Sequence, residues 1–218
     1  MKNHLKKGML AFTLFVSLGA NANLILNGGF ETPDVNANTW KWYTSNNVDG
    51  WDGSTIEVWE DFLGVSAYEG SQFAELNAHG NSGNVFSIYQ TFDTQIDSTY
   101  DFSLAYRARR NNNEAFSLSF LSNNQVFEQQ TFDDHVVGSW STFSNSFVAL
   151  DSTTTIKFTS ITPSTGTVGN FLDDIQVLQR PTELANSIDE PATIALVSLS
   201  VIGAIALRRR KKALLIKH

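Results

Sequence analysis

Tyr100-Asp101-Phe102-Ser103-Leu104-Ala105-Tyr106-Arg107-Ala108-Arg109 is the stretch on which the fold turns. Tyr100, Phe102, Leu104, Tyr106 and Ala108 alternate with Asp101, Ser103, Arg107 and Arg109, a period of two that gives one apolar and one polar face. No stretch between residues 23 and 183 carries the 3.6-residue period of an amphipathic helix. The alternation recurs at Phe116, Leu118 and Phe120, at Phe86, Ile88 and Phe92, and at Ile156 and Phe158. Turn-forming residues fill the intervals 77–84, 111–113, 122–124 and 162–169, and residues 69–77 read as a strand entered through a turn. About nine or ten short strands so punctuated predict an all-β domain: two antiparallel sheets packed face to face as a sandwich of jelly-roll type.

Composition narrows the class. The chain has 218 residues, no cysteine, 42% hydrophobic and 17% charged residues, which excludes collagen, a disulfide-stapled scaffold, a coiled coil and bulk disorder. Its charge is unevenly spread. All 22 acids lie between Asn23 and Glu190, against six bases there, so that section carries −16. A non-specific nucleic-acid binder needs the opposite sign on its folded part.

The two ends are basic and apolar. Lys2, Lys6 and Lys7 precede the apolar run Met9 to Leu18, and Ala20-Asn21-Ala22 supplies a small-x-small cleavage pattern, so residues 1–22 read as a signal peptide for signal peptidase. At the other end Pro191 to Leu207 is uncharged and Arg208-Arg209-Arg210-Lys211-Lys212 follows directly. As a helix this run spans about 25 Å, the short limit for crossing a membrane. The basic residues 208–218 stay cytoplasmic, which places residues 23–183, the predicted sandwich, on the far side.

Residues 184–218 thus form a linker, the motif Asp189-Glu190-Pro191-Ala192-Thr193, an apolar helix and a basic tail. This order resembles the PEP-CTERM sorting signal of Gram-negative bacteria, with Asp189 where that family has its first proline and Glu190-Pro191 in agreement. The resemblance implies a protein held in the inner membrane by its C-terminal helix, processed by an exosortase, and passed to the cell surface or the extracellular exopolysaccharide.

A second resemblance joins the ends of the central domain. Asn23-Leu24-Ile25-Leu26-Asn27-Gly28-Gly29-Phe30-Glu31 and Phe171-Leu172-Asp173-Asp174-Ile175-Gln176-Val177 are similar to the opening and closing strands of galactose-binding-like jelly rolls, common among carbohydrate-binding modules. It implies a structural calcium ion, with Glu31 and Asp174 as ligands. Calcium takes six to eight hard oxygens, which carboxylates and loop carbonyls supply together. Strand alternation puts Asp174 on the face of Leu172 and Leu178, where an unpaired carboxylate is costly.

Trp40, Trp42, Trp51 and Trp59 fall close together, whereas the rest of the chain has one further tryptophan, Trp140. Exposed indoles stack on the C–H faces of sugar rings, and Asn46, Asn47, Asp49 and Asp52 are at hand for hydroxyl groups. The same rings also serve as core residues, since a sandwich of this size needs large side chains and the chain has only two methionines. Glu57, Glu60, Glu69 and Glu75 are close in sequence, but acids are frequent here, and no nucleophile elbow, phosphate loop or catalytic histidine context accompanies them. The four histidines form no metal cluster. Arg107, Arg109 and Arg110 either pair with nearby acids or grip an acidic polysaccharide. Two functions follow as expectations: a non-catalytic surface module binding carbohydrate, or a structural, adhesive protein of the envelope or biofilm.

Overall fold

The computed structural model describes residues 22–81 and 83–181. The expected signal peptide and sorting signal, the latter with Glu190 and Pro191, lie outside the described residues. Eleven strands follow in order: β1 (Thr39–Tyr43), β2 (Asp52–Gly53), β3 (Ile56–Glu60), β4 (Phe73–Glu75), β5 (Ser87–Asp93), β6 (Thr99–Arg107), β7 (Ala115–Ser122), β8 (Gln125–Phe132), β9 (Ser141–Val148), β10 (Thr153–Thr162) and β11 (Phe171–Gln179). They form a six-stranded sheet, β1-β3-β4-β11-β6-β9, and a five-stranded sheet, β2-β5-β10-β7-β8, with every strand pair antiparallel. The expected two-sheet antiparallel β-sandwich is what the chain adopts.

The alternation of β6 does what its sequence implies. Tyr100, Phe102, Leu104 and Tyr106 enter the core between the sheets, where they meet Phe116, Leu118 and Phe120 of β7, Ile156 and Phe158 of β10, and Ile88 of β5. Each fully buried ring or branched chain contributes about 1.5–3 kcal/mol relative to exposure, so the packed inner faces supply most of the drive to fold. The outer edge strand β8 carries Gln125, Glu128, Gln129 and Gln130, polar groups that discourage pairing with another sheet.

The opening segment is a run of turns rather than a strand, yet it is fastened along β11. Leu24 N donates to Val177 O, Ile175 N donates to Gly28 O, and Asn23 Oδ1 accepts from the Val177 and Ile25 amides. A side chain at position 28 would bring its Cβ within 2.0 Å of Ile175 O, so only glycine allows this approach.

β11 is bulged. Its register against β6 shifts between Asp173 and Gln176, and Asp174 takes a left-handed backbone, φ 46°. Consequently Leu172, Ile175 and Val177 point into the core while Asp173 stands on the outer face. The simple alternation that grouped Asp174 with Leu172 and Leu178 is corrected by this extra residue.

Candidate functional site

The outer face of the six-stranded sheet gathers the chemistry. In β3, Ile56 and Val58 go to the core, which sends Glu57 and Trp59 outward. Register then sets two rows across the face. Trp40 lies opposite Trp59 and Trp59 opposite Phe73; Trp42 lies opposite Glu57, Glu57 opposite Glu75, Glu75 opposite Phe171, and Phe171 opposite Arg107. Trp59, Phe73 and Phe171 form a second apolar cluster, roofed by Phe62, Val65 and Ala67 of the loop after β3, and flanked by Trp40 and Trp140.

Two carboxylates are buried under this layer. Glu57 and Glu75 have no solvent exposure, and like charges directly opposite each other repel, so each needs its own donors. Glu75 receives Arg109 Nη1 at 2.6 Å on both oxygens and the Gly169 amide at 2.7 Å. Burial pushes the Glu75 pKa well above its ordinary value, with the Arg109 hydrogen bond and charge pulling it back and Glu57 adding to the rise. The Arg109 guanidinium also sits 4.6 Å from the centre of the Trp59 ring. Glu57 receives the Trp59 indole N–H at 3.1 Å and the His79 amide at 2.8 Å, and its Oε1 is in contact with His79 Nδ1.

The four tryptophans proposed as a sugar platform separate into two pairs. Trp42 is 45% exposed and Trp40 is half-buried, stacked on the His79 ring at 5.0 Å and on Trp59 at 6.4 Å. Trp51 and Trp59 are corrected to core residues. Trp51, 3% exposed, stacks on Phe30 at 5.1 Å and donates its N–H to Asn27 O. Trp59, 1% exposed, is enclosed by Phe62, Phe73 and Phe171. A ring without an open face cannot stack on a sugar. Of the polar residues nearby in sequence, Asn46 and Asn47 are engaged with Thr44, and Asp52 belongs to β2 of the other sheet, bonded to Tyr89.

The implied calcium ligands also need revision. Glu31 Oε1 accepts the Ser71 and Gln72 amides, which ties the opening segment to the turn before β4. Asp174 turns to Gln176, whose amide donates to its Oδ1. The acid of the closing pair that is fully buried is Asp173, which takes the Tyr68, Glu69 and Asp174 amides and whose pKa burial pushes up to about 7. A Cβ added at Gly29 would lie 3.5 Å from Glu69 Oε2, 3.7 Å from Asp173 Oδ1 and 3.9 Å from Glu31 Cγ, so these three acids border the space that glycine leaves. Among the described residues no three His, Cys, Asp or Glu side chains close on one point. Calcium takes hard carboxylate oxygens completed by loop carbonyls, and Glu31, Glu69 and Asp173 are the acids that border this space.

A scan against protein-family models finds no match, and neither does a search of characterised proteins. Solved structures do match. An arabinose-bound α-L-arabinofuranosidase, MgGH51, is 15% identical with a TM-score of 0.51 over 74% of this chain and 27% of that one. A CBM4 structure is 16% identical with a TM-score of 0.41 over 72% of this chain and 99% of that one. TmCBM61 in complex with β-1,4-galactotriose is 13% identical with a TM-score of 0.44 over 73% of this chain and 99% of that one. At these identities the likeness is one of fold, and the chain corresponds to about a quarter of the arabinofuranosidase.

Proposed function

We propose that this protein is an exported, non-catalytic surface module that binds carbohydrate, with Trp42 as the ring on which a sugar stacks and exopolysaccharide as the ligand. The exposure of Trp42 carries the reading. The ring is nearly half open, yet its other side is held: a Cβ at Gly80 would lie 3.3 Å from Trp42 Cζ3 and 3.5 Å from Thr55 Cγ2. A large aromatic surface already fixed in place loses little entropy on binding. Trp40 stacked on His79 continues the aromatic surface along β1. The sealing of Glu57 and Glu75 beneath side chains supports a non-catalytic role, since neither carboxylate reaches a ligand at the surface.

Export in a Gram-negative bacterium, release by signal peptidase after Ala22, a transient hold in the inner membrane through residues 191–207 and exosortase processing near Glu190-Pro191 complete the proposal, on the strength of the sequence resemblance. A structural calcium held by Glu31 and Asp173 belongs to it as a support for the loop, not as a reactant.

Glycan-array binding by the full chain tests the function. Trp42→Ala is expected to weaken binding at least about tenfold while the melting temperature stays within a few degrees. Absence of glycan binding together with concentration-dependent self-association would replace this reading with the adhesive alternative. Mass spectrometry of protein recovered from envelope and medium tests the sorting: a terminus near residue 190 supports it, and an intact basic tail overturns it.

A further inference from the structure

Arg107 is anomalous. The chain carries 22 acids against 15 bases, and the other cations of the outer face have found partners: Arg109 holds Glu75, and Arg180 pairs with Asp101. Arg107 is only partly exposed, its Nε is buried with no hydrogen-bond partner, and among the described residues no ion pair includes it. Burial alone moves its pKa, downward, and no carboxylate contributes to hold it up. Such an atom weakens the fold, because a desolvated donor without an acceptor has lost the hydrogen bond that water gave it.

The buried Nε is closed to a ligand, so what a ligand meets is the exposed part of the side chain and its surroundings. Arg107 ends β6 on the outer face, opposite Phe171 of β11. On its other side Tyr106 is opposite Ser141, which brings the preceding residue, Trp140, to the level of Arg107. Trp140 is partly exposed and firmly held: its N–H donates to Ser66 O at 2.9 Å, and its ring meets Phe73 edge-on at 5.5 Å and Tyr68 at 6.4 Å. Tyr68 is itself 48% exposed. A guanidinium level in register with a fixed, partly exposed indole matches a ligand that offers an oxyanion next to a flat apolar ring face.

We propose that Arg107 is the recognition group for a carboxylate borne by a saccharide, with Trp140 stacking on the sugar that carries it. The assignment rests on the carbohydrate reading above and deepens it by naming a uronate-bearing ligand and a second contact point, away from Trp42. The strong negative charge of the domain disfavours dense polyanions at long range. At physiological salt, charges beyond about 8 Å are largely screened, so an isolated carboxylate placed directly on Arg107 is the ligand that fits.

The test compares glucuronate-bearing oligosaccharides with the same oligosaccharides after reduction of the carboxyl to an alcohol, using the full chain. The unaltered protein is expected to bind the uronate forms at least about tenfold more tightly, and Arg107→Gln to erase that difference while leaving affinity for the reduced forms within about twofold. Arg107→Gln is also expected to match or exceed the parent in melting temperature, since it removes an unsatisfied charge, whereas a structural arginine would lower it. Equal affinity for both forms overturns the role of Arg107 and leaves carbohydrate binding standing. Binding of neither form, with Trp42→Ala also without effect on the glycan array, overturns both. A large fall in melting temperature with Arg107→Gln makes the residue structural and overturns the proposal.

Discussion

His135 offers a sharp test of the core as described. The ring has no solvent exposure and lies edge-on to Tyr106 at 5.5 Å and against Phe116 at 5.7 Å. Asn170 Nδ2 donates to Asn77 Oδ1 and Ser160 Oγ, which leaves Asn170 Oδ1 to accept from His135 Nε2 at 3.0 Å. The proton therefore sits on Nε2, and Nδ1 is a buried nitrogen without a partner among the described residues. A second proton there would have no acceptor. Burial accordingly lowers the His135 pKa from 6.5, opposed by the Asn170 hydrogen bond and the charges of Glu114, Asp134 and Asp133. Below pH 6.5 the unfolded chain gains a proton that the folded chain refuses, so this group's contribution to stability is complete above pH 6.5 and is lost as pH falls. The protonation of the unfolded imidazole caps the loss at pH 5 at about 2 kcal/mol, and at pH 7.5 the loss is about zero. Urea denaturation of the full chain, followed by tryptophan fluorescence, measures it as a difference between the parent and His135→Gln. The parent's advantage is expected to shrink between pH 7.5 and pH 5, by no more than about 2 kcal/mol. An advantage that stays constant, or grows toward acid, would refute the assignment of a neutral, sealed imidazole.

Three further outcomes follow from the site. Arg109→Met leaves Glu75 buried with one amide donor and Glu57 opposite, and is expected to cost about 3–5 kcal/mol; the double change with Glu75→Gln should recover at least about 2 kcal/mol in a denaturation cycle. Trp51→Ala, which empties the space between Phe30 and Phe158, is expected to cost about 3–5 kcal/mol by the same assay, in contrast to the small effect of Trp42→Ala. Millimolar calcium is expected to raise the melting temperature of the parent and EGTA to reverse it, while Asp173→Asn abolishes the response and Asp174→Asn leaves it; the opposite pattern would return the role to Asp174.

Much of the fold could be read from the chain because period-two alternation in β6 and β7 is strong enough to decide the class without tertiary context. β4, three residues long, was legible as the strand entered through a turn over residues 69–77, but β2, with two residues, is too short for any periodicity and exists because β5 offers it hydrogen bonds. The fate of the tryptophans was hidden for a different reason. Trp42 lies within β1 and Trp51 just before β2, and only tertiary packing makes the first an exposed ring and the second a core one. Glu57 and Glu75 were visible as acids, but their confrontation depends on strand register, and their partners His79 and Arg109 come from beyond β4 and β6. That Asp173 and not Asp174 is the fully buried acid goes with the positive φ of Asp174, which tertiary packing imposes and no alternation pattern can announce.

The opening segment runs antiparallel to β11, with Asn23 beside Val177 and Gly28 beside Ile175. Tension entering at Asn23 and leaving beyond Arg180 would therefore act at a single seam and break its bonds in succession, as a zipper opens, instead of loading them all together. A sandwich fastened in this way yields gradually when pulled by its two extremities, at a force set by one bond at a time rather than by the whole seam.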